Sequence, residues 1–183
     1  MSTLLRRMAG AARLDAATYE EVEADRGSLG QAACVVLAAS LVVATARAWH
    51  GVHAGFESAQ LAFQVLLSAL EPLVLWLGGS AFAYMVGASF FRGRETHTDF
   101  AEVLRTTGFA FTPALLLALV IVPPASLGLA LGLVVRAWTL AALVVAIRQA
   151  LDFDTPRAIG TFGAAALLLW LVLWGASIAP LPF

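Results

Sequence analysis

The sequence predicts an all-α fold, a polytopic bundle of five transmembrane helices preceded by a short cytoplasmic amphipathic helix, on three observations. Of its 183 residues, 61% are hydrophobic and 13% charged, with a mean hydropathy of +0.87, which is too apolar for a soluble domain of this length. The apolar residues collect in five runs, each near the roughly 20 helical residues that cross a hydrocarbon core about 30 Å thick. All eleven basic residues are arginines, and they gather at alternate ends of those runs. A formal charge of -1 leaves no basic footprint for nucleic acid. The single cysteine, Cys34, excludes an intramolecular disulfide and reads as a small hydrophobe.

Residues 1–29 form a cytoplasmic N-terminal segment and residues 30–183 the transmembrane domain. The first segment mixes Arg6, Arg7, Arg13 and Arg26 with five acids, so it reads as a polar preface lying along the membrane surface ahead of an uncleaved anchor. Within it Asp15 caps a short helix through Glu23, and Ser28 with Gln31 has the spacing of a capping box that starts the first membrane helix.

The five spans are placed at about 30–49, 72–91, 107–123, 127–147 and 158–180. Arg47 and Trp49 close the first as interfacial anchors. The second has apolar residues from 59 to 71 ahead of Pro72, so it is either long and tilted or preceded by an interfacial piece kinked at the proline. Asp99 and Glu102 form a second box-like start, which places a helix from Phe100. From Phe100 to Arg105 that helix reads as an amphipathic lead-in at the lipid headgroups, running on into the third span. Pro123-Pro124 forces a tight turn that makes the third and fourth spans antiparallel neighbours.

Cytoplasmic loops retain positive charge, and an inside N-terminus places nine arginines (6, 7, 13, 26, 92, 94, 105, 148 and 157) on that side, with the C-terminus outside. Polar chemistry therefore collects on one face. Arg92, Arg94, Asp99, Glu102 and Arg105 are its loop candidates for partner contacts. Gly79, Ala83 and Gly87, and again Gly128 and Gly132, recur at four-residue spacing, which lets helices approach closely within the bundle or at a seam between copies.

No phosphate loop, HExxH, CxxC or nucleophile elbow is present, so the chain is not expected to be an enzyme and no cofactor is implied. His50, His53 and Glu57 would share a face if helical, but a solvated loop outweighs a metal site there. Glu71 and Arg136 are the two charges placed where charge is expensive. Each is the other's natural partner. Counted from the inner ends of their helices they lie about 30 Å and about 17 Å up, a mismatch of roughly two turns that sets Glu71 nearer the outer interface.

Phe91 to Gly93 closing the second span, Phe100 and Glu102 to Arg105 before the third, Gly108, Phe109, Thr112-Pro113 and Pro123, and Trp138 in the fourth are local features of one kind. They resemble the Yip-one (Ypt/Rab-interacting protein) membrane domain family, and the resemblance covers essentially the whole chain, with its polar N-terminal segment, five spans and short loops. The resemblance implies a non-enzymatic adaptor or scaffold that binds protein partners through its cytoplasmic face and assembles as a homo- or hetero-oligomer with other membrane proteins. Eukaryotic members bind prenylated Rab-type GTPases and carry a D-L-Y-G-P type motif before the first span. Here that position is Asp25 to Gly30, DRGSLG, which puts a GTPase partner in doubt. The lysine-free, alanine- and arginine-rich usage points to a prokaryotic member in the cytoplasmic membrane. The alternative, from the intramembrane charges, is a small transporter or lipid-handling protein using Arg136 and Glu71, with membrane lipids as its partners.

Overall fold

The computed structural model describes residues 3–90, 99–121 and 125–178. Seven α-helices and one 3-10 segment run in order: α1 (Thr3–Ala12), α2 (Ala16–Ala24), α3 (Ser28–His53), α4 (Ser58–Phe90), α5 (Phe100–Phe109), the 3-10 segment (Thr112–Ile121), α6 (Ala125–Ala150) and α7 (Thr155–Ile178). Five stretches are long and apolar enough to cross a membrane: α3, α4, α5 with the 3-10 segment, α6 and α7. Of the third stretch 61% is buried, against 17 to 28% of the other four, so the others wrap around it. Large apolar side chains on the outside, among them Leu41 (70% exposed), Leu129 (67%) and Trp170 (57%), make an apolar belt of the kind that faces a bilayer.

The central stretch starts where the sequence places it. Asp99 Oδ1 accepts from the Glu102 backbone N–H and Glu102 Oε2 from that of Asp99, both at 2.8 Å, so the reciprocal box is complete. The interfacial lead-in expected after that box is replaced by a buried helix. Val103 is fully buried and Arg105 is 4% exposed, because α5 inserts among α2, α3, α4 and α6 instead of lying on the bilayer. Gly108 permits that insertion. A Cβ there would stand 2.7 Å from Ala32 Cβ and 3.3 Å from Ala32 Cα on α3. Beyond Phe109 the backbone tightens into a 3-10 segment of ten residues with Pro113 in its first turn, far longer than the usual three or four. At about 2.0 Å per residue, against about 1.5 Å in an α-helix, it carries the short central stretch further across the bundle.

The second span is a single helix of 33 residues that continues through the buried Pro72, which realises the long alternative. The Pro123-Pro124 turn and the loop holding Arg92 and Arg94 lie outside the described residues. On either side of the proline pair, the 3-10 segment and α6 pack on each other.

The N-terminal region holds two helices, α1 before the expected one, and together they make a hairpin. Ala11, Tyr19 and Val22 join Ala32, Val35 and Phe109 in one core, so the hairpin is part of the bundle. The Ser28–Gln31 box does not form. Gly27 occupies the N-cap position, Ser28 Oγ donates to the Val22 carbonyl (2.8 Å), and Gln31 Oε1 accepts from Arg7 (3.1 Å). Both side chains are captured by the hairpin.

Candidate functional site

Two regions gather the polar side chains. The first is the hairpin end of the bundle. Arg7, 5% exposed, meets Glu21 at 2.9 Å and Asp25 at 2.8 Å, and Arg6 adds a fork to Glu21 at 2.6 and 2.7 Å. Those two guanidinium groups hold the Glu21 carboxyl down at about 2, and Arg7 with the Gly27 amide holds Asp25 below its usual value. Trp138 Nε1 donates to the Ala12 carbonyl (2.7 Å) and Gln149 to Glu20 (2.9 Å), which fastens the hairpin to α6.

Arg105 completes this clasp. Its Nη2 donates to the Glu23 carbonyl at 2.7 Å, Glu102 stands 3.8 Å away, and Nε is buried with no partner. Of the loop candidates, then, Asp99 and Glu102 cap α5 and Arg105 is walled in. None of these three groups stands free for a partner in this state. Glu23 is the odd acid of the region. Burial first, then the nearby Asp152, Glu102 and Glu20 against the opposing Arg105, raise its pKa from 4.5 to about 7. Among the described residues, the exposed charges of this end include Arg6, Arg13, Asp15, Glu20, Arg26, Asp99, Asp152, Asp154 and Arg157.

The second region lies toward the other end. A cavity of about 420 Å³ opens between α4, α6 and α7 and is floored by α5 and the 3-10 segment. A second, of about 290 Å³, lies between α3, α4 and α6. Val43, Glu71, Leu117 and Arg136 line both. The structure thus brings Glu71 and Arg136 to one place, although no ion pair joins them among the described residues. Arg47 and His50, expected from the sequence as an interfacial anchor and a loop histidine, line the second cavity with them. The signal was available in helical spacing, since Val43, Arg47 and His50 recur at four and three residues on α3.

The small residues divide between these regions. Ala83 is buried in the core, and a Cβ on Gly87 would meet Leu151 Cδ1 at 2.5 Å, so both serve contacts within the chain. Gly79 borders the larger cavity and Gly128 and Gly132 the smaller. His53 uses Nδ1 against the Trp49 carbonyl at 2.8 Å, and among the described residues no three His, Cys, Asp or Glu side chains come together as metal ligands.

Four apolar spans around a buried central one, with an apolar outer belt, define an integral membrane protein built as a helix bundle. The chain belongs to the Yip1 domain family, whose pattern it matches over residues 15–177. No curated protein and no solved structure matches the chain significantly. Of the residues that carry the resemblance noted in the sequence, Gly108 lies at the α3–α5 crossing, Thr112-Pro113 where the backbone changes helix type, and Trp138 under the hairpin.

Proposed function

We propose that this protein is a non-enzymatic membrane adaptor or scaffold that binds protein partners through its hairpin end, with that end in the cytoplasm and the C-terminus on the opposite side. The observation that carries the reading is the hairpin itself. Two short helices are fastened to α3, α5 and α6 by side chains from each, and this rigid platform turns charges of both signs outward. Preorganised surfaces of that kind bind without first being ordered. The arginine asymmetry supports the orientation, and a prokaryotic cytoplasmic membrane is the setting.

The partner surface moves from the capping residues of α5 to Arg13, Arg26 and Arg157, while Arg92 and Arg94, also expected to take part, lie outside the described residues. Homo- or hetero-oligomers with other membrane proteins are part of this reading, and no GTPase partner is. A photoreactive amino acid at position 13, 26 or 157, irradiated in native membranes, is expected to capture protein at defined masses. The same probe at the lipid-facing Leu41 is expected to capture none of those species. Equal protein capture at both kinds of position, or lipid alone at all of them, removes the adaptor.

A further inference from the structure

The two cavities share Val43, Glu71, Leu117 and Arg136 in their walls, and together they have the chemistry of a divided site. The smaller is charged, with Arg47, Glu71 and Arg136 around it and His50 at its side. Two arginines against one glutamate leave a formal surplus of +1 where an unpaired ion is costly. Arg47 donates through Nε to Ser68 Oγ at 3.3 Å, so its two terminal nitrogens stay available. Arg136 has no hydrogen bond or ion pair among the described residues. Gly128, Gly132 and Arg136 stand at four-residue steps on one face of α6, and both glycines are buried along the smaller cavity. They leave a path without side chains leading to the guanidinium.

The larger cavity is apolar apart from Glu71, Arg136 and three hydroxyl side chains. Trp76, Leu117 and Leu169 form its inner wall, while Leu75 (42% exposed), Leu140 (50%) and Trp170 (57%) carry it to the outer surface of the bundle. Its 420 Å³ falls within the roughly 300–1,000 Å³ of ordinary ligand cavities. A cationic chamber next to an apolar one that reaches the outer surface, with Glu71 and Arg136 lining both, matches an ion with a hydrocarbon tail.

We propose that the two cavities together bind one anionic phospholipid, its phosphate held between Arg47 and Arg136 and an acyl chain lying in the chamber between α4, α6 and α7. Arginine presents a planar fork of donors suited to phosphate oxygens. Glu71 narrows the choice of headgroup, since it repels a second negative charge and leaves room for a single one. The inference goes beyond the adaptor reading and does not depend on which side of the membrane the hairpin occupies.

The test is native mass spectrometry of the full chain in detergent with phosphatidylglycerol, phosphatidylethanolamine or phosphatidylcholine added. One retained phosphatidylglycerol per chain is expected, with retention lowered on the order of tenfold by Arg136→Leu or Arg47→Ala, the scale of losing a charge-assisted hydrogen bond. Arg136→Lys should recover part of it. Gly79→Leu supplies a control on the tail, because Gly79 borders the larger cavity and its Cβ direction has nothing within 4 Å. That variant is expected to melt no lower than the parent chain and to lose phosphatidylglycerol. Equal retention of all three lipids, or unchanged retention in both arginine variants, overturns the site. Inorganic phosphate raising the melting temperature as much as phosphatidylglycerol, with Gly79→Leu unaffected, would assign the cavities to a free anion and reject the lipid.

Discussion

Glu23 shows how one residue can set the pH response of the clasp. Its pKa of about 7 in the fold exceeds the ordinary 4.5, so the folded state binds this proton more tightly than the unfolded chain does. The stabilisation is full below about pH 4.5 and is lost as pH rises through about 7. Over the same window Glu21 and Asp25 stay ionised and paired with arginine, since both are lowered. The melting temperature of the purified chain should therefore fall between pH 4.5 and 7.5, and Glu23→Gln should flatten the decline. Parallel profiles for the two proteins would show that Glu23 is not the group responsible. Nothing in the sequence marks Glu23 among five acids of the N-terminal segment, because its neighbours Glu102 and Arg105 on α5 and Asp152 in the α6–α7 turn arrive from distant parts of the chain.

At the scale of elements, the legible features are those whose partners lie within one turn. The Asp99–Glu102 box closes as its spacing says, for each side chain meets a backbone amide three residues away. Ser28 and Gln31 have the same spacing and do not close, since Val22 and Arg7 compete for them across the hairpin. The burial of α5 was hidden for a related reason. Its first turns carry Glu102 and Arg105, which read as wet, and the hairpin carbonyl of Glu23, with the Glu102 carboxylate at 3.8 Å, makes the arginine tolerable inside.

Glycine meaning also depends on the neighbour. Gly108→Ala is expected to destabilise by about 1–3 kcal/mol, the usual cost of overpacking, because it presses on Ala32 Cα of α3 and crowds Trp76 Nε1 at 3.1 Å. Trp76 needs that place to donate to the Leu104 carbonyl at 2.9 Å. Gly79→Ala meets nothing within 4 Å and should gain up to about 1 kcal/mol of helix propensity. Thermal unfolding of the two variants in one detergent checks both signs, and a neutral Gly108→Ala would mean that α3 can move aside.

For the molecule as a whole, the spans were legible because lipid imposes a length and an apolarity that the sequence cannot conceal. Relative depth was not. Counting Glu71 and Arg136 from their inner ends separates them by two turns only if those ends are level, and α4, at 33 residues, outruns the 26 of α6. The orientation of the bundle decides every reading of its two ends, so it is the property to measure first. In a Cys34→Ala background, needed because Cys34 is exposed, single cysteines replace Ser2, Thr96 and Thr155 on one side and His53, Ser126 and Phe183 on the other. Five spans would put the termini on opposite faces, and under the proposed orientation the nine arginines counted in the sequence (6, 7, 13, 26, 92, 94, 105, 148 and 157) fall on the inside. A membrane-impermeant thiol reagent should then label the second set in intact cells and the first only after permeabilisation. Labelling of position 96 from outside, or of positions 2 and 183 from the same side, would overturn the orientation and the cytoplasmic adaptor surface with it, while leaving the lipid site in place.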